Sequence, residues 1–336
     1  MMSTPMAKRA CLLFPISGTL LLFLFCLDLT VGGVTIPLSN VWRALTGGDC
    51  PEQERLIIVN IRLIKGVVAI FAGAALAVSG LQMQTLFRNP LAGPYVLGIS
   101  SGASLGVAIL MLAAPTLGLT GAVAQFGVAG AAWIGASSIL IVIAAIGHRI
   151  KDIMVVLILG MMFSSGVSAI VQILQFLSKD EALKSFVIWT MGSLGDVTTS
   201  QLWILIPAVV IGLFLGIVAI KPLNLLLFGE EYASTMGLNV GRSRKILFLS
   251  TTLLAGTVTA FCGPIGFIGL ALPHVARMMF NTADHRVLVP GCILIGGVTM
   301  VICDILSKAF LLPVNVITAL IGIPVVVWVV VRNSRS

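Results

Sequence analysis

The sequence predicts an all-α membrane protein with about ten spanning helices. Three observations lead there. Apolar residues fill 58% of 336 positions and charged residues only 10%, against about 25% charged in soluble domains. Mean hydropathy is +1.13. The apolar stretches run to about 20 residues, the length that crosses hydrocarbon as a helix, whereas barrel strands are about ten residues long and alternate.

The first expected helix, 11–31, follows Lys8 and Arg9. It has the charge pattern of a signal peptide, but no A-x-A-like site follows and its apolar core is long, so it reads as a retained helix. The next two, 64–86 and 95–114, flank a polar break. Residues 88–102 read Arg-Asn-Pro-Leu-Ala-Gly-Pro-Tyr-Val-Leu-Gly-Ile-Ser-Ser-Gly, a composition for a helix end or for backbone lining a cavity. Further helices are expected at 120–147, 153–177, 201–220, 246–263, 267–280, 288–307 and 312–331. The eighth is short and holds Pro273 and His274. Two connections exceed a turn, 32–61 and 221–245. Within the second, Glu230 to Met236 reads as a short surface helix closed by Gly237, with acids at its start and glycine at its end.

With the N-terminus in the cytoplasm, thirteen Lys and Arg fall in inner loops (8, 9, 88, 149, 151, 221, 242, 244, 245, 277, 286, 332 and 335). Seven fall outside (43, 55, 62, 65, 179, 184 and 308). The positive-inside rule therefore puts both termini in the cytoplasm. A shift of 183 residues sets Arg62 on Lys245, Gly73 on Gly256, Gly80 on Gly263 and Pro90 on Pro273. The corresponding helices run in opposite directions, so helices 2–5 and 7–10 are candidate halves of an inverted repeat within a single domain, 1–336.

The net charge of +8 does not indicate nucleic-acid binding, because the cations are scattered through short loops. The six cysteines include no C-x-x-C, five lie in apolar stretches, and His148, His274 and His285 lack ligand spacing. No disulfide framework or metal site is expected. The chain has no H-E-x-x-H, G-x-S-x-G or G-x-x-x-x-G-K-[ST] pattern, so it carries no catalytic residues and any ATP must be bound by another chain.

Small residues recur at helical spacing in Gly73, Ala74, Ala77 and Gly80, and again in Gly102 and Gly106, as helix contacts in lipid require. Gln82, Gln84, Ser164, Ser165, Ser168, Gln172, Thr257, Thr259 and Thr318 are polar groups at depth. They must pair or face water. Ser164, Ser165, Ser168 and Gln172 on the fifth helix are the best candidates for a pathway. Asp28 and Asp304 sit near helix ends where water could reach them. The lack of a chain of buried carboxylates or histidines argues against an ion-gradient-driven secondary transporter, the alternative reading. Arg62, Lys65 and Lys308 cluster at the outer mouth, where snorkelling to headgroups is the simplest role.

Several longer motifs occur in order: Gly73-Ala-Ala-Leu-Ala-Val-Ser-Gly80, Arg88-Asn-Pro-Leu-Ala-Gly-Pro94, Leu97-Gly-Ile-Ser-Ser-Gly-Ala103, Gly229-Glu-Glu-Tyr-Ala, Met236-Gly-Leu, Gly263-Pro-Ile-Gly-Phe-Ile-Gly-Leu270, Pro273-His274, Asp284-His-Arg286 and Gly322-Ile-Pro324. Through them nearly the whole chain resembles the FecCD-type permease subunits of type II ATP-binding-cassette (ABC) importers, which carry iron–siderophore, haem or vitamin B12. The resemblance implies a bacterial inner-membrane permease fold of ten helices. It implies a second permease subunit (a homodimer by default), two cytoplasmic ATPase subunits that bind ATP and magnesium, and a periplasmic or surface binding protein. No cofactor is implied for this chain.

By the same resemblance, Gly229, Glu230, Glu231, Tyr232, Ala233, Met236 and Gly237 form the coupling helix that docks on the ATPase. Arg62, Lys65 and Lys308 meet carboxylates of the binding protein, which displaces the snorkelling role. The fifth and tenth helices line the pathway, the latter through Asn315 and Thr318. The chain departs from the family twice. Arg62-Leu-Ile-Lys65 replaces Arg-x-Pro-Arg, losing a guanidinium fork, and Asn315 stands where a glycine is usual.

Overall fold

The computed structural model describes residues 4–114, 127–147, 150 and 152–333. The first residues of the fourth expected helix (120–126), His148, Arg149, Lys151 and Arg335 lie outside them, as do the side chains of Lys8 and Arg332.

The described residues are helical, with no strand. In chain order they form α1 (Thr4–Thr30), α2 (Leu38–Thr46), α3 (Glu52–Ile57), α4 (Leu63–Leu86), α5 (Ile99–Ala108), α6 (Gly127–Gly147), α7 (Ile153–Leu177), α8 (Asp180–Thr190), α9 (Thr199–Val218), α10 (Ile220–Leu226), α11 (Glu230–Thr235), α12 (Val240–Thr251), α13 (Thr257–Cys262), α14 (Ile268–Phe280), α15 (His285–Phe310) and α16 (Val314–Asn333). π-Helical turns at Ile58–Arg62 and Thr252–Gly256 join α3 to α4 and α12 to α13. Six helical stretches are long and apolar enough to cross a membrane, and four shorter apolar helices accompany them. Together they match the ten expected segments.

Besides α10, which occupies the start of the 221–245 connection, three elements of the extramembrane connections were not expected. The stretch 32–61 contains α2 and α3. On α2, Val41 and Ala44 pack over Leu29, Ile36 and Ile58 and cover the end of α1. Asp180 and Glu181 open α8, where the helix dipole favours acids, and Phe186 is buried beneath it.

The centre of the bundle is α4. From Ala72 to Leu86 its residues are buried, and it packs against α15, α14 and α9. An alanine at Gly73 would place its Cβ 2.1 Å from Gly296 O, and one at Gly80 would place it 1.6 Å from Gly269 O. These are backbone-to-backbone contacts, the close approach that small residues permit in lipid. Gly102 and Gly106 of α5 meet Gly135 and Ala131 of α6 in the same way. Gln82 is satisfied inside the bundle, donating to Ser250 at 2.9 Å and accepting from Thr251 at 3.0 Å. Outward, Phe176, Trp203 and Phe214 are exposed, as lipid-facing positions should be.

Candidate functional site

At one end of the bundle α11 stands out from the core. Gly229 precedes it at φ +100° and Gly237 ends it at φ +85°, a backbone region costly for residues with a Cβ. Ala233 is fully buried and pins the helix from behind. Glu230 forms a two-pronged pair with Arg244 of α12, with Nε to Oε1 at 2.7 Å and Nη2 to Oε2. Arg244 also donates to Ile150 O at 3.1 Å. Glu231, Tyr232 and Met236 point outward, and Phe228 packs on Tyr232 with ring centroids 5.7 Å apart and planes tilted by 51°. The expected helix is therefore present. Its two acids differ, however: Glu230 anchors α11 to its own chain and Glu231 is exposed to solvent. Phe228 belongs to the presented face, and its exposed aromatic side chain was the missed signal.

Below this helix, α10 is tied to the bundle. Asn224 donates to Asp284 Oδ1 at 2.7 Å and accepts from the His285 amide at 2.9 Å. Burial alone pushes the Asp284 carboxyl up; donation from the Arg286 amide and Asn224, with the Arg286 charge, outweighs it and holds the group below its usual range.

The opposite end holds Arg62, Lys65 and Lys308, each of them engaged with other groups of this chain. Arg62 is buried, and its guanidinium donates to the carbonyls of Leu29 and Thr30 at 2.9 and 2.8 Å, and to that of Val34. Lys308 Nζ sits 2.8 Å from both oxygens of Asp28 and 2.7 Å from Asp304 Oδ2. Lys65 lies 3.0 Å from Asp304 Oδ1. The Asp304 oxygens are within ion-pair distance of both ammoniums, although neither contact has hydrogen-bond geometry. Asp28 and Asp304 have no exposed surface, which corrects the expectation that water reaches them. The cations neutralise buried carboxylates on α1 and α15. Unmatched, such charges would cost several kcal/mol each. At this end Arg43, Arg55, Lys179 and Lys184 are the exposed cations.

The expected pathway residues divide. Ser168 and Gln172 of α7 line a cleft of about 330 Å³ together with Ser100, Ser101 and Ser104 of α5. Those three serines, at i, i+1 and i+4, were a signal the motif reading absorbed without using. Ser164 and Ser165 donate back to Gly160 and Met161 of their own helix at 2.8 and 3.1 Å. Asn315 accepts from the Gly266 amide at 3.0 Å, and Thr318 is fully buried, donating to Asn315 O at 3.0 Å. Asn315 therefore fastens the start of α16 to the loop before α14, while the Thr318 hydroxyl is satisfied within its own helix.

A second cavity, of about 670 Å³, opens at the α11 end between α4, α14 and α16. Arg277 there donates to Gln84 Oε1 at 2.6 Å, and His274 Nε2 donates to Pro90 O at 2.8 Å. The His274 bond closes the polar break at 88–102 onto α14, and the Arg277 bond ties α14 to the end of α4. Among the described residues no three His, Cys, Asp or Glu side chains gather as a metal would require.

Residues 20–332 match the model of the FecCD transport family. The hemin transport system permease protein HmuU of Yersinia pestis is 35% identical over 95% of this chain and 96% of its own. The vitamin B12 import system permease protein BtuC of Salmonella typhi is 34% identical over 94% and 95% respectively. A solved ABC transporter of metal-chelate type, in an inward-facing conformation, superposes with a TM-score of 0.81 at 26% identity, covering 93% of this chain and 96% of that one. The chain belongs to the FecCD transport family and is a multi-pass permease subunit of the ABC importer type.

Proposed function

We propose that this permease moves a metal chelate of the haem or cobalamin kind, with iron–siderophores as the wider class, inward through a bacterial inner membrane. Two copies enclose the path, two ATPase subunits bind ATP and magnesium, and a binding protein delivers the cargo. The α11 end and both termini face the cytoplasm, in keeping with the charge bias of the loops. The single observation that carries the coupling role is α11, held from behind by Ala233 and the Glu230–Arg244 pair while Glu231, Tyr232 and Met236 face out. A rigid helix so mounted transmits displacement to α12, and through α10 and Asn224 to α15.

The same reading gives helices 2–5 and 7–10 as inverted halves of one domain, 1–336, with 221–245 as the coupling connection. Gly73 abuts α15 and its repeat partner Gly256 faces Ala136 of α6, which supports that pairing. The serine-lined cleft of Ser100, Ser104, Ser168 and Gln172 is the pathway wall. Positive charge for the binding protein comes from Arg43, Arg55, Lys179 and Lys184, with Lys65 at the edge of its ion pair. Such charges steer docking.

Replacing Tyr232 and Met236 with alanine and Glu231 with lysine tests the coupling assignment. Uptake by the reconstituted importer is expected to fall at least tenfold as the ATPase dissociates. Stability of the permease should change by less than about 0.5 kcal/mol, as for exposed positions. Parent-level uptake in this triple variant would remove the assignment. Reversing Arg43, Arg55, Lys179 and Lys184 to Glu should slow binding-protein association, and the parent rate should fall with added salt. A salt-independent parent rate that the reversal leaves unchanged would refute the docking surface.

A further inference from the structure

The cavity at the α11 end is built around two guanidiniums that lack a carboxylate. Arg88 and Arg277 both line it, and no Asp or Glu does. No ion pair involves either arginine among the described residues. Arg277 is aimed by Gln84, which accepts from it at 2.6 Å and is itself fixed by donating to Leu270 O at 2.9 Å. A neutral amide sets the direction of that guanidinium without cancelling its charge. Arg88 lies against the Gly229 backbone, its Nη1 3.2 Å from where a Cβ on that glycine would be. The contrast with the opposite end is plain, because Lys65 and Lys308 there are both matched by buried acids.

Arg88 is exposed and Arg277 half-buried, and a charge partly drawn out of water without a partner is unfavourable. The C-termini of α4 and α14 converge here, each contributing roughly half a negative elementary charge. That leaves about one positive charge unmatched, the charge of one phosphodiester. Trp328 of α16 forms part of the wall, and tryptophan concentrates at headgroup depth.

We propose that this cavity binds a phosphate-bearing anion between Arg88 and Arg277, either the headgroup of an anionic phospholipid or a free phosphate. Guanidiniums grip phosphate oxygens with paired, charge-assisted hydrogen bonds. Basic pockets between membrane helices hold such headgroups. Only the assignment to the cytoplasmic leaflet rests on the orientation proposed above.

The test uses the complete importer in neutral detergent, stripped of lipid. Phosphatidylglycerol, phosphatidylcholine or inorganic phosphate is then added, and bound ligand is read by native mass spectrometry and by thermal denaturation. Phosphatidylglycerol is expected to be retained at least tenfold over phosphatidylcholine, at one per permease, and to raise the Tm. Arg277→Gln should lower that retention about tenfold. Arg88→Gln, at an exposed position, should do the same and keeps the test decisive if the first variant folds poorly. Arginine-dependent binding of inorganic phosphate would assign the site to a free anion, and of phosphatidylglycerol alone to a lipid. Equal retention of the two lipids with no binding of inorganic phosphate, retention indifferent to both substitutions, or Arg277 paired with an ATPase carboxylate in a complex that binds neither anion would each overturn the proposal.

Discussion

Replacing Lys308 with methionine is expected to destabilise the folded permease by about 3–5 kcal/mol, the cost of breaking a buried pair on one side. The reason is geometric. Lys308 Nζ lies within 2.8 Å of carboxylate oxygens on both Asp28 and Asp304, and neither aspartate reaches solvent. Without that ammonium, Lys65 alone must serve two carboxylates, and it contacts only Asp304. The remaining acid takes up a proton or draws water into the bundle. The double variant Lys308→Met with Asp28→Asn should recover most of the loss, because it removes one charge of each sign. Thermal denaturation of the detergent-solubilised importer measures both. A Lys308→Met variant with parental stability and weakened binding-protein affinity would return Lys308 to the docking surface and refute its internal role.

Gly80→Ala is expected to be comparably severe, destabilising by about 3 kcal/mol or more, and to leave little folded protein in the membrane. Its Cβ would fall 1.6 Å from the Gly269 carbonyl oxygen. The obstacle is backbone, so no side-chain rotation relieves it and α4 must move away from α14. The contact with Gly296 at Gly73, on the same helix, would be lost in that movement. Gly18→Ala is the matched control, since nothing lies within 4 Å of a Cβ there. It should leave yield and Tm within error of the parent. Parental Tm for Gly80→Ala would mean that α4 and α14 do not approach as closely as described.

Which features were legible follows from how local their causes are. The helix at 153–177 was bounded correctly because an unbroken apolar run follows Asp152, whose side chain accepts from the Met154 amide as an N-cap. The short helix α11 was legible for a similar reason: acids at its start and a glycine at its end are local signals. The helices α2 and α3 were missed because nine and six residues hold too few turns for periodicity to register amid Gly and Pro. The charge cluster was illegible in a different sense. Asp28, Lys65 and Asp304 come from three helices, and spacing along the chain says nothing of their meeting. Asp304 and Lys308, four apart on one helix face, were the one available hint. Small-residue spacing likewise announced close helix contacts at Gly73 and Gly80 but could not name Gly296 and Gly269 as partners. The backbone partners of Asn315 and Thr318 were not legible, because a polar side chain in an apolar helix looks the same from sequence whether it faces water or a backbone group.

The buried acids matter to the choice between energy sources, because intramembrane carboxylates are also what a proton- or sodium-driven carrier uses. Here both are matched by lysines and lie away from the serine-lined cleft. ATP dependence of uptake tests this most directly. The importer, with its binding protein and a radiolabelled haem or cobalamin, is placed in proteoliposomes, with ATP supplied only on the α11 side. Uptake is expected to require ATP there, to persist when ion gradients are collapsed by an uncoupler, and to vanish in the triple variant of Glu231, Tyr232 and Met236. Uptake that continues without ATP and stops with the uncoupler would contradict the account.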